Sequence, residues 1–369
     1  GRGVRALGWT KTLAIYYEAQ TNLLTSGSDY LDLYNVLYQA CRNKVGTDGI
    51  TLSDCTEVRD ATLAVRMNLQ PSANFNPDTV LCPTGTYAVL PGLFFDDFET
   101  GANGWTLAAL FGESAWSISN NNARDGIASL WGNDIHETSD SYAATQAIAL
   151  PAGSNPYLHF SHTYNFEADG NTYYDGGVLE YSINNGSTWV DAKPLFSAGR
   201  NYTGVINAGT DNKLASRPGF VGASHGYVDS RYKLITVTGR YIRFRWRMGT
   251  DTAVGVRGWH VDNVRVYLCV AKPGVPSLVS PTNGATSTSL MPVFDWSDST
   301  GDLHHYQLQL ATDSGFTQNL VTINDILVST YTLISDLDPN TTYYWRVRAF
   351  NAANKASAWS LGWLFTTQP

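Results

Sequence analysis

Carboxylates at the two ends of one predicted β-domain are the residues with the clearest capacity for chemistry. Asp97 and Glu99 stand two positions apart near the start of this domain, and Asp262 stands near its end. Residues two apart on a strand share a face, and we expect the first and last strands to pair, which would bring the three carboxylates together. Hard oxygen donors of this kind suit a structural Ca²⁺ ion. Solvated carboxylates at strand ends are the alternative, and Asp175 is a weaker fourth candidate that also fits a turn.

The chain carries no motif for zinc-dependent hydrolysis. The pattern HExxH places two histidines on one helix face to hold zinc and supplies a glutamate as general base. It occurs nowhere in the 369 residues, and the nearest string, residues 136–140, lacks the second histidine. We therefore assign no catalytic residues and predict that this chain is inactive as a peptidase by itself.

Aromatic side chains offer a second kind of site. Tyr173 and Tyr174 follow Gly170 and Asn171 in the same predicted β-domain. Aromatic faces suit the C–H faces of sugar rings, and polar loops can hydrogen-bond to sugar hydroxyls. These two tyrosines are the best exposed candidates for glycan binding.

Four cysteines are present, and none forms a C-x-x-C pair. An even number favours two disulfides in an oxidising compartment, and hence an extracellular protein. Cys41 and Cys55 would close a short loop between two helices, whereas Cys82 and Cys269 would join the two ends of the middle domain. The two other pairings, and four unpaired cysteines, remain open from the sequence.

Helical periodicity marks the N-terminal part of the chain. Apolar residues in 5–24 recur at helical spacing. Residues 29–45 are apolar almost all round, which predicts a buried helix, and Gly46 is a suitable stop. Residues 51–54 then carry a cap signal for a third helix that runs to about Met67.

The run 13–19, the segment 40–46 and the segment 54–61 resemble the closing helices of secreted thermolysin-like and fungalysin-like zinc metallopeptidases. The resemblance covers residues 5–68, less than a fifth of the chain. It implies that the zinc ligands, the general base and the transition-state histidine all lie in an upstream catalytic half. Zn²⁺ is therefore expected only in that half, which this chain does not contain.

A period of two begins at Phe94 and continues to about residue 270. Leu179, Tyr181 and Ile183 alternate with polar residues and lead into residues 184–186, a hairpin signal. The alternation predicts a single β-sandwich.

Three runs in this region, 95–99, 174–182 and 258–264, resemble jelly-roll modules of secreted bacterial peptidases. Those modules are akin to MAM and carbohydrate-binding modules. The resemblance implies a jelly-roll β-sandwich and strengthens the calcium prediction, but it does not indicate the ligand.

The last part of the chain predicts another β-domain. Phe294 and Trp296 begin a series of alternating apolar positions, and residues 337–343 resemble the tyrosine corner of fibronectin type III domains. In such a corner a tyrosine hydroxyl ties a sheet-crossing loop to nearby backbone. A domain of this kind hosts many functions.

The predicted fold class is thus mainly β and multidomain. A short all-α segment precedes a jelly-roll β-sandwich, which precedes a fibronectin type III, immunoglobulin-like β-sandwich. The predicted divisions are a helical remnant, a linker, the disulfide-closed jelly roll and the last domain, at residues 1–70, 71–91, 92–270 and 271–369.

Composition limits the partners. The net charge of −8 disfavours binding to phosphate backbones, so we expect no nucleic acid. No apolar run approaches the roughly 20 residues that span a bilayer. Three short helices would leave an apolar patch open, so we expect another protein chain on the helical segment, either the catalytic half or a second copy.

The leading functional prediction is a non-catalytic C-terminal fragment of a secreted zinc metallopeptidase precursor. It would act in extracellular binding or adhesion to glycan, matrix or protein. One alternative is a subunit of an extracellular fibre or surface layer. Another is part of an active metalloendopeptidase whose HExxH-bearing half is a separate chain.

Overall fold

The computed structural model describes residues 5–25, 28–69, 76 and 78–369. The described chain is mainly β, with its α-helices in the N-terminal part and sandwich sheets after them, and two short 3-10 helices, Lys193–Leu195 and Ile235–Val237, lie between strands. The predicted fold class is therefore confirmed. Two compact units are present, one made of residues 1–79 and 93–266 and the other of residues 80–92 and 267–369.

Three α-helices form the N-terminal segment at the predicted positions. They are α1 (Trp9–Glu18), α2 (Tyr30–Asn43) and α3 (Leu52–Ala64). The predicted cap of α3 is confirmed, since Thr51 Oγ1 accepts from the Asp54 N–H and the Asp54 carboxylate accepts from the Thr51 N–H at 2.8 Å. This reciprocal pair satisfies two backbone donors that the helix leaves free.

The predicted all-round burial of α2 is wrong. Leu37, Ala40 and Cys41 are buried, whereas Tyr30 at the start of the helix is 73% exposed. The helix packs against α1 and α3, and two neighbours cover only one side of it. The other side consequently remains at the surface of the first unit.

The strands of the first sandwich form two main sheets, and the first strand is paired with the last. They are β1 (Thr86–Asp96), β2 (Thr106–Phe111), β3 (Trp116–Ser119), β4 (Ser129–Gly132), β5 (Ser139–Ala144), β6 (Ile148–Ala149), β7 (Pro156–Asn165), β8 (Ala168–Asp169), β9 (Thr172–Tyr173), β10 (Gly176–Ser182), β11 (Val190–Asp191), β12 (Phe196–Gly199), β13 (Gly204–Val205), β14 (Pro218–Gly219), β15 (Val228–Lys233), β16 (Tyr241–Thr250) and β17 (Gly258–Ala271). One sheet has the order β12-β15-β7-β17-β4-β3, with β1 paired to β17, and the other has the order β11-β10-β16-β5-β2, with β6 paired to β16. The expected pairing of the first and last strands is thus confirmed.

Large aromatic residues from both sheets fill the space between them. Phe160 on β7 meets Trp246 on β16 edge to face, with ring centroids 5.1 Å apart. Both side chains are fully buried. Since β7 and β16 belong to different sheets, this contact places the core of a β-sandwich between them.

The linker predicted over residues 71–91 ends earlier than expected. Residues 71–75 and 77 lie outside the described part of the chain, and β1 begins at Thr86, inside the predicted linker. Pro91 lies within this strand, which pairs with β17 beside the main strand path. A proline, which lacks an N–H, is tolerated at such a position.

The second unit holds a smaller sandwich. Its strands are β18 (Leu278–Ser280), β19 (Ala285–Thr288), β20 (Val293–Trp296), β21 (His305–Ala311), β22 (Val321–Ile326), β23 (Thr330–Thr332), β24 (Thr342–Phe350) and β25 (Trp363–Thr367). They form sheets β18-β20-β23 and β19-β25-β24-β21-β22. The predicted tyrosine corner is confirmed, because the Tyr343 hydroxyl accepts a hydrogen bond of 3.1 Å from the Asp338 N–H.

Both predicted disulfides are present. Cys41–Cys55 joins α2 to α3, and Cys82–Cys269 links positions 187 apart in sequence. Cys269 lies on β17, the last strand of the first sandwich, and both cysteines fall in the stretches 80–92 and 267–369 that belong to the second compact unit. No described cysteine is free.

Candidate functional site: an acidic cluster beside a tyrosine hairpin

Four carboxylates stand just beyond the ends of four strands of the first sandwich. Asp134 follows β4 and Glu167 follows β7, both from one sheet. Asp175 precedes β10 and Asp251 follows β16, both from the other sheet. Because Gly176 on β10 pairs with Gly249 on β16, the residues beyond these two positions lie side by side.

Glycines allow the segments that carry these carboxylates to approach one another. A Cβ atom on Gly177 would lie 2.3 Å from the ring of Trp259, so β10 can pass beneath this indole only with glycine there. A Cβ atom on Gly255 would lie 2.2 Å from the carbonyl oxygen of Asp134. The loop after β16 consequently reaches the end of β4.

Backbone amides hold three of the four carboxylates. Asp175 Oδ1 accepts from the Asp251 N–H at 2.7 Å, and Asp251 Oδ1 accepts from the Ala253 N–H at 2.9 Å. Glu167 Oε2 accepts from the Val254 N–H at 3.2 Å. One carboxylate oxygen from each of Glu167, Asp175 and Asp251 lies within 4.8 Å of the others, and this is the one such group of three or more metal-ligand side chains among the described residues.

Three of the four carboxylates are buried, and none of the four forms an ion pair among the described residues. Asp175 is 1% exposed and Asp134 is 3% exposed. Asp175 Oδ2 and both carboxylate oxygens of Asp134 have no hydrogen-bond partner. Burial raises the pKa of Asp134 to about 6, and burial together with the carboxylate of Asp134 raises the pKa of Asp175 to about 9.

An open depression of about 780 Å³ lies over one side of this cluster. Its lining combines an aromatic ring, hydroxyl groups, backbone and carboxylates. The lining residues are Glu167, Asp169, Tyr174, Gly209, Thr210, Asp211, Asp251, Thr252 and Ala253. Tyr174, a predicted glycan-binding residue, therefore stands beside the acidic cluster.

Tyr173 lies on the other side of the hairpin formed by β8 and β9. It lines a second depression of about 530 Å³ together with Phe166 and His225. Its ring also packs close to Gly204 and Gly222, where a Cβ atom would lie 2.8 Å and 3.2 Å from ring carbons. Both tyrosines are only partly exposed, so Tyr173 forms a wall of its depression and is not the freely exposed platform expected from the sequence.

The residues predicted to bind calcium occupy a different place. Asp97 and Glu99 are not on a strand, because β1 ends at Asp96 and a turn with Phe98 at φ 60° follows. Asp97 Oδ1 accepts from the Glu99 N–H at 3.3 Å. The turn forms because the Asp96 carboxylate accepts a hydrogen bond of 2.9 Å from the Phe98 N–H. Such a local side-chain bond to the backbone competes with the hydrogen bonds of strand pairing.

Glu99 and Asp262 hold the same loop before β4. Glu99 Oε1 accepts from the N–H groups of Ile127 and Ala128, both at 2.8 Å. Asp262 is fully buried, and its Oδ2 accepts from the Arg124 N–H at 2.7 Å. Asp97, Glu99 and Asp262 do not form a metal-ligand group among the described residues, and calcium binding by these three stays a prediction.

Sequence analysis identified only one member of the acidic cluster, Asp175, as a weaker fourth candidate for calcium binding that also fits a turn. Asp134, Glu167 and Asp251 lie in separate loops without any local motif. Their one shared signal is an acidic residue within two positions of a strand end.

One family model matches the chain, that of the fibronectin type III domain, over residues 274–362. The chain has no match among curated protein sequences.

The solved structures similar to the chain include the following three from bacteria. The K3 cleaved adhesin domain of Lys-gingipain from Porphyromonas gingivalis w83 is 16% identical, with 48% of this chain and 99% of that chain covered and a TM-score of 0.31. The CBM22-1 xylan-binding domain of Paenibacillus barcinonensis Xyn10C is 12% identical, with 51% and 97% covered and a TM-score of 0.28.

The third is the Spr0440 glycoside hydrolase domain, Endo-D, from Streptococcus pneumoniae R6. It is 13% identical over 72% of this chain, with a TM-score of 0.29, and the match spans only 37% of that domain. With the tyrosine corner and the family match together, residues 274–362 of this protein form a fibronectin type III domain.

Proposed function

We propose that this protein is an extracellular binding protein whose first sandwich takes a neutral glycan in the depression beside Tyr174. The observation that carries the proposal is the composition of that depression. It offers one aromatic ring, Thr210 and Thr252, and several carboxylates within about 780 Å³.

This lining suits sugar hydroxyls. Carboxylates are strong hydrogen-bond acceptors, and bonds to an ionised acceptor are stronger than neutral ones. Asp169 and Asp211 are exposed at the rim, where they could accept from hydroxyls without prior loss of hydration. The same charges repel uronic or sulfated sugars, so the favoured ligand is uncharged.

Two disulfides and the lack of a free cysteine among the described residues support an extracellular location. No described helix has the length and apolar character needed to cross a membrane.

Binding of the full chain to a panel of neutral and acidic polysaccharides tests the proposal. We expect retention on one or more neutral glycans and at least tenfold weaker binding by Tyr174→Ala. Tyr241→Ala is the control, since Tyr241 is 67% exposed on β16 and lines none of the depressions described above. Equal binding by wild type and Tyr174→Ala, or binding to acidic glycans alone, contradicts the proposal.

A second candidate function rests on the helical segment. Trp9, Tyr17 and Tyr30 are 78%, 71% and 73% exposed, and a cavity of about 290 Å³ lined by Leu7, Ile15, Val58 and neighbouring residues opens there. Tyr16, which is 51% exposed, lines the same cavity, and contiguous exposed apolar surface marks protein contacts.

Together with the resemblance of residues 5–68 to metallopeptidase helices, this surface supports docking of another protein chain. The chain favoured by that resemblance is the zinc-bearing half of a secreted metallopeptidase, with a second copy of this chain as the alternative occupant. Co-expression with an HExxH-bearing thermolysin-like domain tests this docking. We expect to recover a complex that Trp9→Ser abolishes. Failure to recover a complex contradicts the proposal.

A further inference from the structure

The acidic cluster at the end of the first sandwich has the geometry of a cation site. One oxygen from each of Glu167, Asp175 and Asp251 lies within 4.8 Å of the others. Ca²⁺ binds oxygen ligands at 2.3–2.6 Å, so two ligands on opposite sides of one ion stand roughly 5 Å apart. The three oxygens are therefore close enough to contact a single Ca²⁺ ion.

A second observation points to a ligand at this place. Asp175 Oδ2 and both carboxylate oxygens of Asp134 are buried without a hydrogen-bond partner, although Asp175 and Asp134 are 1% and 3% exposed. Buried polar groups are normally satisfied, and an unpaired buried carboxylate is costly. Asp134 lies against the loop that follows Asp251, since a Cβ atom on Gly255 would lie 2.2 Å from the Asp134 carbonyl oxygen.

In the part of the chain that the structure describes, no basic side chain pairs with any of the four carboxylates. None of the ion pairs of the described residues involves Asp134, Glu167, Asp175 or Asp251. The charged groups with the largest effect on the pKa of Asp175 are Asp134 and Asp251, both acidic. A cation would satisfy the unpartnered oxygens and remove this repulsion at once.

We propose that Glu167, Asp175 and Asp251, with Asp134 beside them, bind a Ca²⁺ ion that links the two sheets of the first sandwich. The carboxylates supply hard oxygen donors, and water from the overlying depression completes the six to eight ligands that Ca²⁺ takes. The site differs from the one predicted at Asp97, Glu99 and Asp262. It also stands independently of glycan binding, although Glu167 and Asp251 line the same depression.

The rival explanation is a shared proton. Two neighbouring carboxylates can hold one proton between them, with one pKa strongly raised. A proton on the Asp134–Asp175 pair would relieve the repulsion without a metal, and calcium would then have no effect at this cluster.

The test uses the full chain, stripped with EGTA and then dialysed against Ca²⁺, with bound metal counted by elemental mass spectrometry. Asp175→Asn and Glu167→Gln should each bind one equivalent fewer than wild type. Glu113→Gln is the matched control, because Glu113 is exposed on the same sandwich and outside the cluster. Glu167 lies at the half-buried rim, so Glu167→Gln reports on the site even if Asp175→Asn does not fold.

Thermal unfolding provides a second readout. Ca²⁺ at 100 times its dissociation constant should raise the Tm of wild type by about 5–10 °C. The rise in the Tm of Asp175→Asn should be smaller by the contribution of the lost site. In EGTA, Asp175→Asn should unfold at the same temperature as wild type or higher, since the substitution removes repulsion. Equal calcium content in wild type, Asp175→Asn and Glu167→Gln overturns the proposal and leaves the shared proton as the explanation.

Discussion

The indole N–H of Trp259 donates a hydrogen bond of 3.1 Å to Nδ1 of His162. Nε2 of His162 lies 2.9 Å from Ser230 Oγ, whose hydroxyl donates to the Arg200 carbonyl. Nδ1 is thus an acceptor and Nε2 carries the proton, so the imidazole is neutral. It is fully buried, and burial lowers its pKa to about 3.

Acid should therefore destabilise the first sandwich through His162. Between about pH 6.5 and pH 3 the unfolded state binds a proton that the native state excludes, so stability falls as the pH falls. The slope from this group approaches about 1.4 kcal/mol per pH unit. Denaturant unfolding at pH 7.5, 6 and 5 measures it.

His162→Gln is the matched variant for that slope. It should be less stable at every pH but should show a shallower dependence on pH. Some dependence remains, because burial also lowers the pKa of His260, to about 4. Identical slopes in wild type and variant would show that His162 does not contribute.

The disulfide Cys82–Cys269 should contribute strongly to stability. On the loop-entropy model a closed loop of this length stabilises by up to about 5 kcal/mol. Cys82→Ser with Cys269→Ser should lower the free energy of unfolding, whereas Cys41→Ser with Cys55→Ser should do so less because its loop is short. Non-reducing peptide mapping checks the pairing, and a peptide joining Cys82 to Cys41 or Cys55 would contradict it.

Calcium binding by Asp97, Glu99 and Asp262 makes a separate prediction. If these residues bind calcium, Asp262→Asn loses one equivalent of bound metal that Asp175→Asn retains. Counting the metal in both variants distinguishes the two places. If Asp262→Asn binds as much calcium as wild type, the site formed by Asp97, Glu99 and Asp262 is excluded.

The exposed helical face should cause association. Full-length protein is expected to form dimers or larger species in light scattering at high concentration. A variant starting at Asn74, or one with Trp9→Ser and Tyr17→Ser, should stay monomeric. A monomeric full chain would restrict the docking proposal to a different protein chain.

Peptidase activity should be absent from the isolated chain. Purified protein incubated with casein and added zinc is expected to leave the substrate intact, because no HExxH occurs in the sequence. Chelator-sensitive cleavage that copurifies with the 369-residue species would reverse this expectation.

Features set by neighbours in sequence were predictable, whereas the candidate site was not. The cap formed by Thr51 and Asp54 involves residues three apart, and the corner formed by Asp338 and Tyr343 involves residues five apart. Each has a local signature with a physical reason.

Asp134, Glu167 and Asp251 meet only because strands from two sheets end at the same edge. No periodic pattern in the sequence predicts that they lie close together, and a single acidic residue in a loop predicts only a solvated side chain. The prediction of a strand through Asp97 failed for a local reason, since the carboxylate of Asp96 forms a turn with Phe98.

The Cys82–Cys269 bond also decides how the chain transmits force. When the helical segment and the C-terminal domain are pulled apart, tension arriving at Cys82 crosses the sulfur–sulfur bond directly to Cys269. The intervening residues, which include every strand of the first sandwich except the last three residues of β17, carry no load. For as long as the disulfide remains oxidised, the strands between the two cysteines therefore stay folded under a tension applied to the ends of the chain.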